Sequence, residues 1–248
     1  PGSYLKNKFI KKLMEISILS SQKIIVPSLY AKSNIANKVK KDPSVIKVVN
    51  LGSDHIVKNE NTNFKLKNFN YKKKYIFSVI SCVKYHNIIN LLKAYKIFYE
   101  KSKSKLSFVL VLKILDKEYY QQIIQEIKNN NLLELVIIFK DLDNKYLYNL
   151  YKNANIFIFS SYSEVFGFTT LEAMEFDLPC LISDTSALRE INGEYPIYFN
   201  PEDVGDISSK LLKIDLNVDE SSKFLSTMKK KKYTWEKCLN ETLKIIYE

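Results

Sequence analysis

Glycine is scarce in this chain, with five among 248 residues. Neither a Walker loop nor a Gly-x-Gly-x-x-Gly fingerprint can be written anywhere, so any bound phosphate is held by something other than a glycine-rich cradle. Histidine occurs twice, as His55 and His86, which excludes a His-rich metal site. Cys82, Cys180 and Cys238 are odd in number and far apart. That excludes a disulfide framework and a thiolate zinc site, and leaves them as small core residues. No Gly-x-Ser-x-Gly elbow presents a nucleophilic serine. Arginine occurs once, at Arg189, so the formal charge of +11 is carried by lysine. Lysine, asparagine and isoleucine together read as drift toward A/T-rich codons. Nucleic-acid readers favour Arg for bidentate contacts, so no nucleic-acid partner is expected. A weak peripheral attraction to anionic lipid is expected instead, at about 1 kcal/mol per well-placed Lys. Long apolar runs are also missing. Tyr75 to Val83 and Ala154 to Tyr162 fall far short of the ~20 residues of a membrane-spanning helix. The first thirty residues have no apolar signal core, so a cytoplasmic location, peripheral to the inner face of the membrane at most, is expected.

What is present is an ordinary globular composition, 46% hydrophobic and 26% charged, which excludes disorder for most of the chain. The pattern alternates strands and helices. Strands are expected at Lys23–Pro27, Val45–Asn50, Tyr75–Ser81, Leu106–Leu112, Leu135–Phe139, Ile156–Phe159, Cys180–Ser183 and Ile197–Phe199. Helices are expected from Tyr30 to Lys40, His86 to Tyr99, Lys117 to Asn129, Lys145 to Lys152, Thr170 to Glu175, Ser186 to Ile191, Pro201 to Leu212 and Tyr233 to Tyr247. From Tyr75 onward the strands are apolar on both faces, which implies a Rossmann-like α/β fold: a parallel sheet with helices on both faces. The Asn- and Lys-rich stretch from Val57 to Lys74 reads as a linker. The division expected is 1–56, 57–74, 75–232 and a terminal helix over 233–248.

Ligands in such folds sit beyond the carboxyl ends of the strands. There the sequence reads Ser160-Ser161-Tyr162-Ser163-Glu164-Val165-Phe166-Gly167-Phe168-Thr169-Thr170-Leu171-Glu172. Two carboxylates flank a one-glycine loop that opens a helix, whose unpaired amides and dipole suit a phosphate. Gly167 allows close backbone approach. Glu172 is placed to accept bonds from vicinal hydroxyls, as carboxylates do with ribose, and Glu164 to grip a second polyol. The plainer reading also stands: Thr169-x-x-Glu172 is a capping box, Glu164 a solvated carboxylate and Gly167 a turn. Asp141-Leu142-Asp143 superficially matches a metal-binding Asp-x-Asp, but Asp143 is better explained as a helix N-cap.

The segment resembles the donor-binding signature of glycosyltransferase family 4, in the GT-B superfamily. Glu164 and Glu172 are separated by seven residues that include Phe166-Gly167-Phe168, and Leu171-Glu172-Ala173-Met174 follows. Weaker matches follow in order: Asp177 to Asp184, Arg189-Glu190-Ile191, Tyr198 to Asp203 and Thr234-Trp235-Glu236. Upstream are Leu147-Tyr148, Asn153 to Asn155, Ile25 to Ser28 and Asn50 to Asp54.

The resemblance implies that Glu172 binds the nucleotide ribose and Glu164, in the catalytic position, the donor sugar. It places amides of Phe166, Gly167, Phe168 and Thr169 at the diphosphate or sugar. It puts the backbone near Lys140 at the base pocket. Where the family usually has Arg and Lys after the first strand, this chain has Ser81 and His86, with Lys84 nearby as a point charge. Ser160 stands where Pro is usual, and Val165, which avoids positive φ, where Gly is usual. The implied activity is retaining transfer of a hexose from a UDP- or GDP-sugar to a glycan or lipid-linked acceptor, without a metal or other cofactor, in bacterial surface polysaccharide synthesis. Residues 1–56 are expected to be the end of an acceptor domain, so that the chain works with a missing N-terminal domain or a partner subunit. A non-catalytic GT-B module and a GT-B nucleotide-sugar epimerase are the alternatives.

Overall fold

The computed structural model describes residues 2–58, 64–216 and 233–248. Part of the expected linker (59–63) and the basic run Lys229–Lys232 lie outside the described residues. The chain divides into two compact units, residues 1–52 with 233–248, and residues 53–232.

The first unit contains helix α1 (Gly2–Ser20), strand β1 (Ile24–Val26), helix α2 (Leu29–Val39), strand β2 (Ile46–Val48) and the C-terminal helix α10 (Trp235–Tyr247). The two strands pair in parallel, Ile24 with Ile46 through Val26 with Val48. Their small core is Val26, Ala31 and Ile46, with Ile24, Ile35 and Val48 packed against it. Ser28 caps α2 by accepting from the Ala31 amide at 3.1 Å, and Thr234 caps α10 by accepting from Lys237 at 3.2 Å. Helix α1 was not expected from the sequence. Its large apolar residues Phe9, Leu13, Met14, Ile16 and Leu19 are spread widely around the helix instead of forming a narrow stripe, and all are exposed.

The second unit begins with the short helix α3 (His55–Lys58) and then runs β3 (Tyr75–Cys82), α4 (Ile88–Lys101), β4 (Ser107–Ile114), α5 (Lys117–Asn129), β5 (Val136–Lys140), α6 (Leu147–Asn153), β6 (Ile156–Phe159), α7 (Phe168–Glu175), β7 (Cys180–Ser183), α8 (Leu188–Asn192), β8 (Ile197–Phe199) and α9 (Val204–Leu216). The six strands form one parallel sheet in the order β5-β4-β3-β6-β7-β8. This is the expected α/β architecture. Alternate residues face opposite helix layers. Phe108 meets Tyr95 of α4 with ring centroids 5.1 Å apart, while Phe77 meets Tyr151 of α6 at 5.0 Å on the other face. Ile156, Phe157 and Ile158 are fully buried, which is why these strands read as continuous apolar runs rather than alternating ones.

Local chemistry moved several helix starts. Asn87 adopts φ 57°, so Lys84–His86 form a separate 3-10 turn and α4 starts at Ile88 rather than His86. Helix α9 starts at Val204 rather than Pro201, because Asp203 Oδ1 accepts the Asp206 amide at 3.0 Å. Asp143 Oδ1 accepts the Lys145 amide at 3.1 Å, the cap expected of it, on a 3-10 turn ahead of α6.

Asp116 caps α5 by accepting the Tyr119 amide at 2.9 Å. Asp116→Ala should cost about 1 kcal/mol of stability, and Asp116→Asn much less. Calorimetric melting midpoints measure both.

Candidate functional site

Helix α7 is positioned by Gly167, which takes φ +86° and ψ 56° so that the chain can turn from the β6 loop into the helix. A side chain there would also strike Leu188, since a Cβ would lie 2.5 Å from its Cδ2. Val165 is not among the residues with positive φ, and the left-handed turn falls on Gly167 alone in that loop. Because the helix already begins at Phe168, Thr169 lies inside its first turn and does not cap it.

Glu172 does not return to the main chain, so the capping-box reading fails. Its Oε2 accepts from the Tyr151 hydroxyl at 2.8 Å, and its Oε1 lies 3.1 Å from His55 Nε2. Tyr151 is fully buried, stacked on Phe176 at 5.5 Å and edge-on to Phe77. Burial, reinforced by the Glu172 charge, pushes its phenol well above the usual tyrosine range, so it stays a donor. His55 is half-exposed. The hydrogen bond to Glu172 raises its imidazole above the ordinary value of 6.5 against the opposing effect of desolvation. Ser53 Oγ donates to Glu175 Oε1 at 3.0 Å, which fixes the chain ahead of α3 against α7.

Glu172, His55 and Thr169 line a cleft of about 410 Å³ together with Val79, Asn144, Lys145 and Tyr148. A recess of about 170 Å³ shares Val79, Asn144 and Thr169 with it and reaches Ser81, Lys113 and Asp141 at the ends of β3, β4 and β5. Both cavities therefore open at the carboxyl edge of the sheet. Lys140 lines neither of them. It lies on the α5 side, its ammonium 5.6 Å from the centre of the Tyr120 ring, and Asp141 and Leu142 take the lining position.

Glu164 stands in a separate hydrogen-bonded setting and lines neither cavity. His86 is buried. Its Nδ1 is 2.6 Å from the Ser81 carbonyl, and since a carbonyl only accepts, Nδ1 carries the hydrogen. Its Nε2 faces Glu164 Oε1 at 3.2 Å. Ser81 thus joins the group through its main chain. Ser160, at the position where Pro was expected, donates from Oγ to the His86 carbonyl at 2.8 Å, tying the β6 loop to the β3 loop. Ser183 and Thr185 both donate to the Ser161 carbonyl, at 2.6 and 3.0 Å, and the Glu164 amide donates to Ser186 Oγ at 2.8 Å. Phe166 is buried edge-on against Phe168 at 5.3 Å, and Lys84 is exposed. The lone Arg189 is not at the clefts. It donates to Asp184 at 2.8 Å and lies over Tyr198.

Sequence reasoning missed His55 and Tyr151. The available signals were the rarity of histidine and the need of a buried tyrosine hydroxyl for a partner. Among the described residues no group of three or more His, Cys, Asp or Glu is arranged to hold a metal ion, and no helix is long and apolar enough to cross a membrane.

The parallel sheet clothed by helices is the architecture of GT-B glycosyltransferases. Sucrose-phosphate synthase of Thermosynechococcus elongatus superposes with a TM-score of 0.72 at 18% identity over 95% of this chain and 60% of its own. Anabaena Alr3699/HepE, solved in complex with UDP and glucose, gives 0.71 at 12% identity over 92% of this chain and 63% of its own. At those identities the likeness concerns the fold. The model of the family described as glycosyl transferases group 1 matches residues 59–232, and the chain belongs to that family. Among curated relatives, the O-antigen chain mannosyltransferase RfbU of Salmonella typhimurium is 23% identical over 227 residues, 90% of this chain. The chain spans 60% of that relative's length.

Gly167→Ala should strain the backbone at the mouth of the site and force Leu188 to move, at a cost of about 1–3 kcal/mol. At roughly 2–4 °C per kcal/mol for a unit of this size, differential scanning fluorimetry should show a fall of several degrees.

Proposed function

We propose that residues 53–232 bind the nucleotide-sugar donor of a hexosyl transfer, in the manner of glycosyltransferase family 4. The supporting observation is the Glu172 carboxylate, buried, anchored by Tyr151 on one oxygen and lining a cleft at the carboxyl edge of the parallel sheet. A carboxylate in that setting accepts hydrogen bonds from a vicinal diol, as ribose presents. The start of α7, at Phe168 and Thr169, turns the positive end of a helix dipole toward the diphosphate. Lys145 in the cleft and Lys113 in the recess add positive charge.

In this reading Glu164, held by His86, receives the hydroxyls of the donor sugar, and Lys84 stands by as a further cation. The protein stabilises the nucleoside diphosphate as it departs and positions the sugar for attack by an acceptor hydroxyl, with retention of configuration. The charge on the leaving diphosphate is met by the start of α7 and by the lysines, so the reading invokes no metal. The mannosyltransferase and O-antigen relative favours a hexose and an acceptor in surface polysaccharide synthesis. The donor is a UDP- or GDP-sugar.

Isothermal titration with UDP and with GDP tests this. One of them should bind, and Glu172→Ala should weaken that binding by more than tenfold, a loss of at least about 1.4 kcal/mol, while the fold survives by circular dichroism. Binding of neither nucleotide would leave a GT-B module without donor chemistry.

A further inference from the structure

We propose that His55 is a proton-controlled stopper on the Glu172 subsite: its imidazolium holds the carboxylate oxygen that a ribose diol needs, and loss of its proton opens the subsite. The inference rests on the donor-site reading above and adds a regulation to it. Glu172 has two oxygens. Oε2 is bonded by the buried, immobile Tyr151 hydroxyl and faces the core. Oε1 is bonded by His55 Nε2 at 3.1 Å. Of the two partners only His55 can move aside without opening the core, because its side chain is 41% exposed and lines the 410 Å³ cleft. The ring therefore occupies the position from which an incoming diol would address Glu172.

The strength of this hold depends on the proton. An imidazolium makes a charge-assisted bond to a carboxylate, roughly twice as strong as the bond from a neutral ring. The groups facing His55 are consistent in sign. Glu172 of α7 and the neighbouring Asp54 both favour the protonated ring. Tyr151 of α6, on the far side of Glu172, is kept protonated by its burial. Lys145, on the turn before α6, is among the described residues the one cation lining the cleft beside it, and it is paired with Asp143 at 3.1 Å. The imidazole consequently titrates above its ordinary value, with Glu172 as the main cause. The sign follows. Below that raised pKa the stopper is charged and seated, so nucleotide affinity falls. Above it the ring is neutral and affinity rises. If the nucleotide binds only the open form, apparent affinity scales with the open fraction, and each pH unit below the pKa costs about tenfold.

The chain has only two histidines, so imidazole NMR resolves both, and His55→Ala assigns the signal. Three measurements on the full chain form the test. The first is the His55 titration in wild type and in Glu172→Gln, which should fall back toward 6.5 in the variant. The second is affinity for UDP and GDP from pH 6 to pH 8 in wild type. The third is the same series in His55→Ala. The diphosphate's own protonation is common to both proteins and cancels in the comparison. The expected result is that His55→Ala binds about tenfold tighter than wild type at pH 6 and equally at pH 8. An unshifted His55 titration that ignores Glu172→Gln overturns the pairing and the proposal. Nucleotide binding with superimposable pH profiles for wild type and His55→Ala overturns the stopper alone. No binding by either protein at any pH overturns the donor-site reading and the stopper with it, whatever the NMR titration reports.

Discussion

A parallel sheet must bring every strand back to the same starting edge, so successive strands here are joined by crossovers and all six carboxyl ends lie along one rim. That constraint sets Ser81, Lys113, Asp141, Glu164 and Ser183 along the same edge of the sheet although they are scattered through the sequence. It also loads the rim with loop backbone that needs partners. The chain meets this need with short hydroxyl side chains: Ser160 bonds the loop after β3, and Ser183 and Thr185 bond the loop after β6. Serines and threonines thus fasten the loops of this rim to one another in a chain with five glycines.

Glu172 illustrates how burial and exposure divide one functional group. Its core-facing oxygen is fixed by a phenol that burial keeps protonated. Its cleft-facing oxygen is held by a half-exposed imidazole. A buried carboxylate needs such partners to remain charged at tolerable cost. A ligand that replaces only the outer partner disturbs none of the packing around Tyr151. Glu164 at a second place on the rim faces a buried imidazole instead, and the Ser81 carbonyl accepts from that ring's Nδ1.

Much of the second unit could be read in advance. The bounds of β6, β7, β8 and α5 match expectation because Ile, Phe and Leu runs buried on both faces, or an amphipathic stripe opening on Asp116, leave little ambiguity. The shifted starts of α4, α7 and α9 trace to residues whose conformation or side-chain bonds are decided by neighbours, namely Asn87 and Gly167 with positive φ and Asp203 acting as a cap. The site was half legible. The two glutamates, the Phe-Gly turn and the opening of α7 stood out by spacing. His55 and Tyr151 did not, because they reach Glu172 from 117 and 21 residues away.

The sequence alone determined the class of fold, since alternating buried strands and amphipathic helices admit few arrangements, and it determined which short segment carries carboxylates at a helix start. Tertiary structure alone decided what each carboxylate touches. Side-chain pairing across distant loops depends on sheet order and on which face each residue takes. Neither is encoded within any local window, so the distinction between Glu172 in its cleft and Glu164 beside His86 emerges only once the six strands are laid side by side.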